Sequence, residues 1–153
     1  MEQSLYEACT SGDDEKVRKL LKNENIDTNW QDGGWTPFYA ACGNGHIEIV
    51  KLLLNDKRVD VNQTDCAPMA RGWTPFSHAC YWGKTGVVKY LLESRREIDI
   101  NKKDNNGKTG LDCAIENGKT DIVELIESFQ KNPNETRAKL RKELGIFGNL
   151  FII

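Results

Sequence analysis

Histidine is scarce in this sequence, with His46 and His78 the only two among 153 residues, and no His-Glu-x-x-His, Gly-x-Ser-x-Gly or phosphate-cradling glycine loop accompanies them. Those absences remove the familiar marks of a zinc peptidase, a serine hydrolase and a nucleotide-binding enzyme, and they point away from catalysis. The five cysteines contain no Cys-x-x-Cys pair, so the usual ligand spacing of a structural zinc site is missing. No apolar run approaches the roughly 18 residues of a membrane-crossing helix. The start, M-E-Q-S-L-Y-E, lacks both the cationic and the apolar segment of a secretory leader. A cytosolic or nuclear address is the default expectation. Excess positive charge is missing too: a net charge of −2 and a pI near 5.7 predict no general affinity for nucleic acid. The 39% apolar content, with 13 glycines, is enough to bury a core without disulfides, so neither metal nor cofactor is expected.

What is present is repetition. From Gly34 to Asn62 the chain reads G-W-T-P-F-Y-A-A-C-G-N-G-H-I-E-I-V-K-L-L-L-N-D-K-R-V-D-V-N. Thr36 and Pro37 mark a helix start, because the Thr hydroxyl accepts a bond from a first-turn N–H and Pro at the first position loses no needed donor. Gly43, Asn44 and Gly45 end that helix after about two turns by supplying left-handed backbone. Ile47, Ile49, Val50, Leu53 and Leu54 then recur at helical spacing around one broad apolar face. Two short antiparallel helices cannot bury these faces alone, so copies are required. With Phe38 as a ruler, Leu5, Phe76 and Leu111 open matching segments at spacings of 33, 38 and 35 residues. Seven residues after each ruler stands Gly12, Gly45, Gly83 or Gly118, and twelve after it Val17, Val50, Val88 or Val123.

A period near 33, T-P-F at a short helix start, a turn glycine, G-H-I-E-I-V-K-L-L-L and a closing D-V-N resemble the ankyrin repeat. The resemblance covers about Leu5 to Phe129 and is strongest in the second and third units. It implies an all-α solenoid of helix-turn-helix units with protruding hairpin loops. The units are an N-terminal capping repeat over 1–34, a second repeat with an extended finger loop over 35–72, a third over 73–107 and a fourth, divergent repeat over 108–131. A C-terminal capping helix and apolar tail over 132–153 complete the array.

The first unit loads its outer edge with Asp13, Asp14, Glu15 and Lys16, as a cap does, and carboxylates there also complement a helix dipole. The turn from Gln63 to Gly72 is longer than the period needs and carries Cys66, Met69 and Arg71, either as a binding loop or as a tolerated insertion. In the fourth unit T-G-L-D replaces T-P-F and loses the fixed proline. Beyond Phe129, Pro133 and Gly145 bracket one more helix, whose Ala138, Leu140 and Leu144 are expected to cover the exposed end of the fourth unit. Ile146, Phe147 and the tail from Leu150 to Ile153 are expected to add to that contact.

Cys9, Cys42 and Cys80 each lie four residues after a ruler position and are expected to be core thiols. Cys66 is the thiol expected in solvent, while His78 falls on the first helix of the third unit with no partner implied by spacing. The tail helix carries Lys131, Arg137, Lys139, Arg141 and Lys142 against Glu135 and Glu143, a local balance of +3 that suits a nucleic acid or an anionic lipid surface, or simply a solvated face.

Trp35 and Trp73 stand immediately before Thr-Pro, and Tyr81 and Trp82 immediately before Gly83. In the resembled family these positions face a concave groove that binds partner proteins, where Gly43, Asn105 and Asn106 occupy matching positions, and so do Asn44 and Lys108. Together with Met69 and Arg71 they are the expected partner-binding residues, with packing between units as the alternative for each aromatic ring. The function implied is a non-enzymatic protein–protein interaction module, an adaptor, scaffold or inhibitor, acting as a monomer on a protein and not on a small molecule. A basic-helix binder of nucleic acid or lipid and a fragment of a larger scaffold are the alternatives.

Overall fold

The computed structural model describes residues 1–146, and Phe147 and the tail to Ile153 lie outside them. Four helix pairs follow one another in order: α1 (Glu2–Ser11) with α2 (Asp14–Leu21), α3 (Pro37–Asn44) with α4 (Ile47–Leu54), α5 (Pro75–Tyr81) with α6 (Thr85–Glu93), and α7 (Gly110–Glu116) with α8 (Thr120–Lys131). A ninth helix, α9 (Pro133–Glu143), follows. Among the described residues there is no sheet, and one isolated bridge pairs Asp32 with Trp35 at the tip of the first finger.

The local signals for these helices act as the sequence predicts. Thr36 Oγ1 accepts from Tyr39 N at 3.1 Å, and Thr74 Oγ1 from Ser77 N at 3.1 Å. Where the fourth unit lacks proline, Asp112 compensates: its carboxylate accepts from Thr109 N at 2.9 Å and completes a capping box. Asp13 caps α2 by accepting from Lys16 N at 3.1 Å, so the first acidic cluster starts a helix. The four turn glycines all take positive φ, from 66° at Gly118 to 87° at Gly12, backbone that other residues adopt only with strain. Gly43 departs from expectation. It is helical and buried, and Gly45 alone provides the left-handed turn after α3.

The helices form two layers. In the inner layer α1, α3, α5 and α7 stack side by side, and their small residues (Ala8 and Cys9, Ala41 and Cys42, Ala79 and Cys80, Cys113 and Ala114) are all buried. Small side chains let these helices approach more closely than α2, α4, α6 and α8 do in the outer layer, where Val, Leu and Ile intervene. Leu5, Phe38 and Phe76 are buried between the layers, and Leu111, at the end of the array, is only partly so. In the last unit Ile122 and Ile126 are fully buried while Val123 is partly exposed.

Successive units are also tied by side chains that reach back one repeat. Arg58 donates to the carbonyls of Leu21 and Asn23 at 2.8 Å, at the end of α2. Arg96 does the same beyond α4, donating to Leu54 O, Asp56 O and Val59 O. Each guanidinium satisfies carbonyls that a helix end leaves without a partner. Asn29 and Asn62 form a second ladder: Asn29 Nδ2 donates to Arg58 O at 2.8 Å while its Oδ1 accepts from Asp60 N, and Asn62 bridges Glu97 O and Asp99 N in the same way.

The position of α9 corrects the expectation that it covers the end of the fourth unit. It folds back across the outer layer, packing on both α8 and α6 and leaving α7 uncovered, so Ile115 on α7 stays 54% exposed. Leu140 and Thr136 are buried in this contact, Leu144 is half-buried, and Ala138 faces solvent. Arg137 lies over the Phe129 ring at 5.1 Å and donates from Nε to Leu92 O, which gives the end of α6 the service that Arg58 and Arg96 give α2 and α4. Arg141 pairs with Glu93 at 3.3 Å, and Lys89 pairs with Glu143. Leu140→Ala should therefore cost ~2–5 kcal/mol in urea denaturation, while Lys139→Ala on the exposed face should change stability by less than about 0.5 kcal/mol.

Candidate functional site

The aromatic residues converge where the first and second fingers meet α3 and α5. The finger insertion runs between its neighbours: Cys66 N donates to Gly34 O at 3.0 Å on one side, and Asn105 N donates to Arg71 O at 2.9 Å on the other. Its base is closed by Asp65 N to Trp73 O at 3.1 Å and Trp73 N to Asp65 Oδ1 at 2.9 Å. Ala70 N bonds Ala67 O at 2.8 Å, and this turn lifts Met69 into solvent, 93% exposed. The loop thus overhangs a pocket of about 300 Å³, bordered by Trp35, Met69, Arg71 and Trp82.

The pocket floor is Tyr39, His78 and Trp73. Tyr39 and His78 stack with centroids 4.0 Å apart and planes inclined by 14°, and Trp35 stands 5.4 Å from Tyr39 and 5.5 Å from His78. His78 Nδ1 lies 3.1 Å from Tyr39 O, and since a carbonyl only accepts, Nδ1 carries the proton and Nε2 is left bare. Tyr39 Oη donates to Asp65 Oδ2 at 3.2 Å, which places a carboxylate behind the aromatic wall. Burial, with the Asp65 carboxylate beside it, pushes the Tyr39 phenol well up, and burial lowers the His78 imidazole to about 4. Tyr39 and His78 are neutral at physiological pH.

Of the residues expected to contact a partner, Trp35, Met69, Arg71, Trp73 and Trp82 border this pocket, and Tyr81 packs at its edge. They are not equally displayed. Trp82 is 55% exposed and Trp35 38%, but Trp73 is only 8% exposed. Its indole Nε1 donates to Asp104 Oδ2 at 3.0 Å, its ring packs on Tyr81 at 4.6 Å, and the Arg71 guanidinium covers it at 5.0 Å. Trp73 is thus an inter-finger strut as well as a wall. Asn44 lies outside the pocket, with its amide turned back to Ala40 O at 2.9 Å, and Lys108 is occupied by Glu116.

Three residues that sequence reasoning did not place at the site, Tyr39, Asp65 and His78, shape it. Gly43 is the signal that was available: a glycine inside a helix marks a close approach, and a Cβ there would lie 2.0 Å from His78 Cε1. Cys9, Cys42, Cys80 and Cys113 are buried, and burial raises their thiols, Cys9 to about 12 and Cys113 to about 11. Cys66 is exposed, and its Sγ donates to Gln31 Oε1. Among the described residues no three His, Cys, Asp or Glu side chains converge as metal ligands, and no helix is long and apolar enough to cross a membrane.

A second cavity, about 280 Å³, lies between α4, α6 and α9 and is lined in part by Lys51, Arg95, Arg96 and Arg141. Most of these cations already have work inside the fold: Lys51 pairs with Glu48, Arg96 donates to three carbonyls, and Arg141 pairs with Glu93.

A two-layer array of successive helix pairs joined by protruding fingers defines a helical repeat protein. The chain belongs to the ankyrin-repeat family: the family model described as ankyrin repeats (3 copies) matches residues 2–65 and again 58–137. Comparison with curated proteins finds no match. Ankyrin repeats are generally protein–protein interaction modules and are typically non-enzymatic.

Two outcomes follow from the pocket floor. Gly43→Ala should destabilise by ~1–3 kcal/mol in urea unfolding because the added methyl meets the His78 ring. In a His78→Ala background the same change should stabilise by ~0.5–1 kcal/mol, since only the helix preference for alanine remains. The pH dependence has a fixed sign. His78 binds its proton less readily folded than unfolded, so its contribution is complete above pH 6.5, falls as pH drops toward about 4 and is level below that. The loss should approach about 3 kcal/mol at most. Unfolding measured between pH 7 and 5 should show this slope in the natural chain and a shallower one in His78→Phe.

Proposed function

We propose that this chain binds another protein through the aromatic pocket on its inner side, as an adaptor, scaffold or inhibitor, and that it acts as a single copy. The observation that carries this is the contrast within one cluster. Trp73, Tyr39 and His78 are locked by hydrogen bonds and stacking, while Trp82, Met69 and Trp35 stand on that rigid base with large apolar areas in water. Such a group supports recognition, because an exposed Trp on a fixed frame loses little side-chain freedom on binding and Trp is enriched among the residues that dominate interface energies. Five unpaired thiols suit a reducing, cytosolic compartment.

The basic-helix alternative receives less support. Arg137 is bound to Leu92 O and Phe129, Lys139 to Glu135 and Arg141 to Glu93, which leaves Lys142 of α9, with Lys131 at the end of α8, as exposed cations with no ion pair among the described residues.

A partner recovered by affinity capture and then purified allows a direct test by calorimetry. Trp82→Ala should leave the melting midpoint and helical circular dichroism nearly unchanged and weaken binding by ~2 kcal/mol or more. Unaltered affinity, or a stability loss like that of a core truncation, would assign the ring to packing between units and remove the pocket from the interface.

A further inference from the structure

We infer that the pocket takes an apolar side chain of the partner flanked by aspartate or glutamate, and that it rejects a cationic one. The inference rests on the pocket being the binding surface proposed above and specifies what that surface selects.

Aromatic walls ordinarily favour cations, because ring faces carry a negative quadrupole. Here the charges already in place oppose that use. The Arg71 guanidinium lies 5.0 Å from the Trp73 centroid and 5.9 Å from that of Tyr81, so this chain supplies its own cation to those faces. A second cation entering beside it meets like charge. The acid in the wall does not offset this repulsion. Asp65 is buried, and its charge is already shared between two donors, Tyr39 Oη on Oδ2 and Trp73 N on Oδ1, so it presents little free carboxylate to an ammonium in the cavity. Asp104, on the far side of Trp73, is also engaged, holding Trp73 Nε1, Lys108 N and Asn106 N. Those three donors outweigh burial and hold its carboxyl below the usual range.

The exposed charge at the pocket is therefore Arg71, which forms no salt bridge among the described residues. A guanidinium on the rim of an apolar cavity can hold a carboxylate through two parallel bonds, and its ring-stacked position orients it for doing so. The cavity, about 300 Å³, is at the small end for ligand sites and suits one large side chain. Met69, flexible and exposed above it, can close over different apolar shapes.

The test uses the full chain and fluorescein-labelled Gly-Ser host peptides that carry Asp-Phe-Glu, Lys-Phe-Lys, Asp-Ala-Glu or Asp-trimethyllysine-Glu at their centre, with anisotropy as the readout. The Asp-Phe-Glu peptide should bind about tenfold tighter than Lys-Phe-Lys, the factor one charge-assisted hydrogen bond supports, and about tenfold tighter than Asp-Ala-Glu and Asp-trimethyllysine-Glu, which keep the carboxylates but lose the buried ring. Arg71→Glu should reverse the order of the Asp-Phe-Glu and Lys-Phe-Lys peptides, and Arg71→Gln should remove the difference without reversing it. Trp82→Ala should weaken both. Tightest binding of the trimethyllysine peptide, no binding of any peptide at millimolar concentration, or a charge order indifferent to both Arg71 variants would overturn the inference. If Trp82→Ala weakens every peptide while no charge preference exists, the pocket stands as an interface and only the selectivity falls. If neither Trp82→Ala nor Arg71→Glu alters any affinity, binding lies elsewhere and the pocket itself is excluded.

Discussion

Close approach of the inner helices is the constraint on which the rest of the architecture depends. Alanine stands three residues after every ruler position, at Ala8, Ala41, Ala79 and Ala114, and cysteine follows it in the first three units. These residues carry little side-chain volume into the contact, so the inner layer packs tightly while the bulkier outer layer spreads. The close stacking also brings together the fingers that run into neighbouring inner helices, which places Trp35, Trp73 and Trp82 within reach of one cavity although 47 residues separate the first from the last.

The outer layer is held differently. Its helices share fewer close contacts, and long arginines bridge them at their carbonyl ends. Arg58, Arg96 and Arg137 repeat one device with three different local sequences. The third belongs to α9, so α9 acts as a partial fifth outer helix laid back over α6 and α8, without an inner counterpart. This accounts for the uneven end of the array, where Leu111, Val123 and Ile115 keep exposed surface that their counterparts in the middle units bury.

The fold was legible almost throughout because its signals are local. Thr36, Thr74, the turn glycines and the apolar spacing of each second helix act within a few residues, and the repeat multiplied each signal. Gly43 was misassigned to the turn because a glycine next to Asn-Gly reads locally as punctuation, whereas its role is set by His78, 35 residues away. Much of the candidate site's membership could be named from sequence, but not its division of labour. Trp35 and Trp73 have identical local contexts, and only the third finger, through Asp104 and Asn105, makes the second of them a buried strut. The placement of α9 was hidden for a related reason: Leu140 and Leu144 require an apolar partner, but nothing in their spacing says which layer provides it.

The anchoring of the finger insertion has a further consequence. A ten-residue loop above a cavity would ordinarily sample many shapes, and a ligand would have to select one of them. Backbone bonds to Gly34 on one flank and Asn105 on the other fix both ends of this loop, and the Ala67–Ala70 turn fixes its crest. Much of the ordering entropy is therefore spent when the chain folds, which leaves Met69 and the rim of the cavity with only rotamer freedom to lose. A roof built this way favours fast, rigid-body docking over slow induced fit.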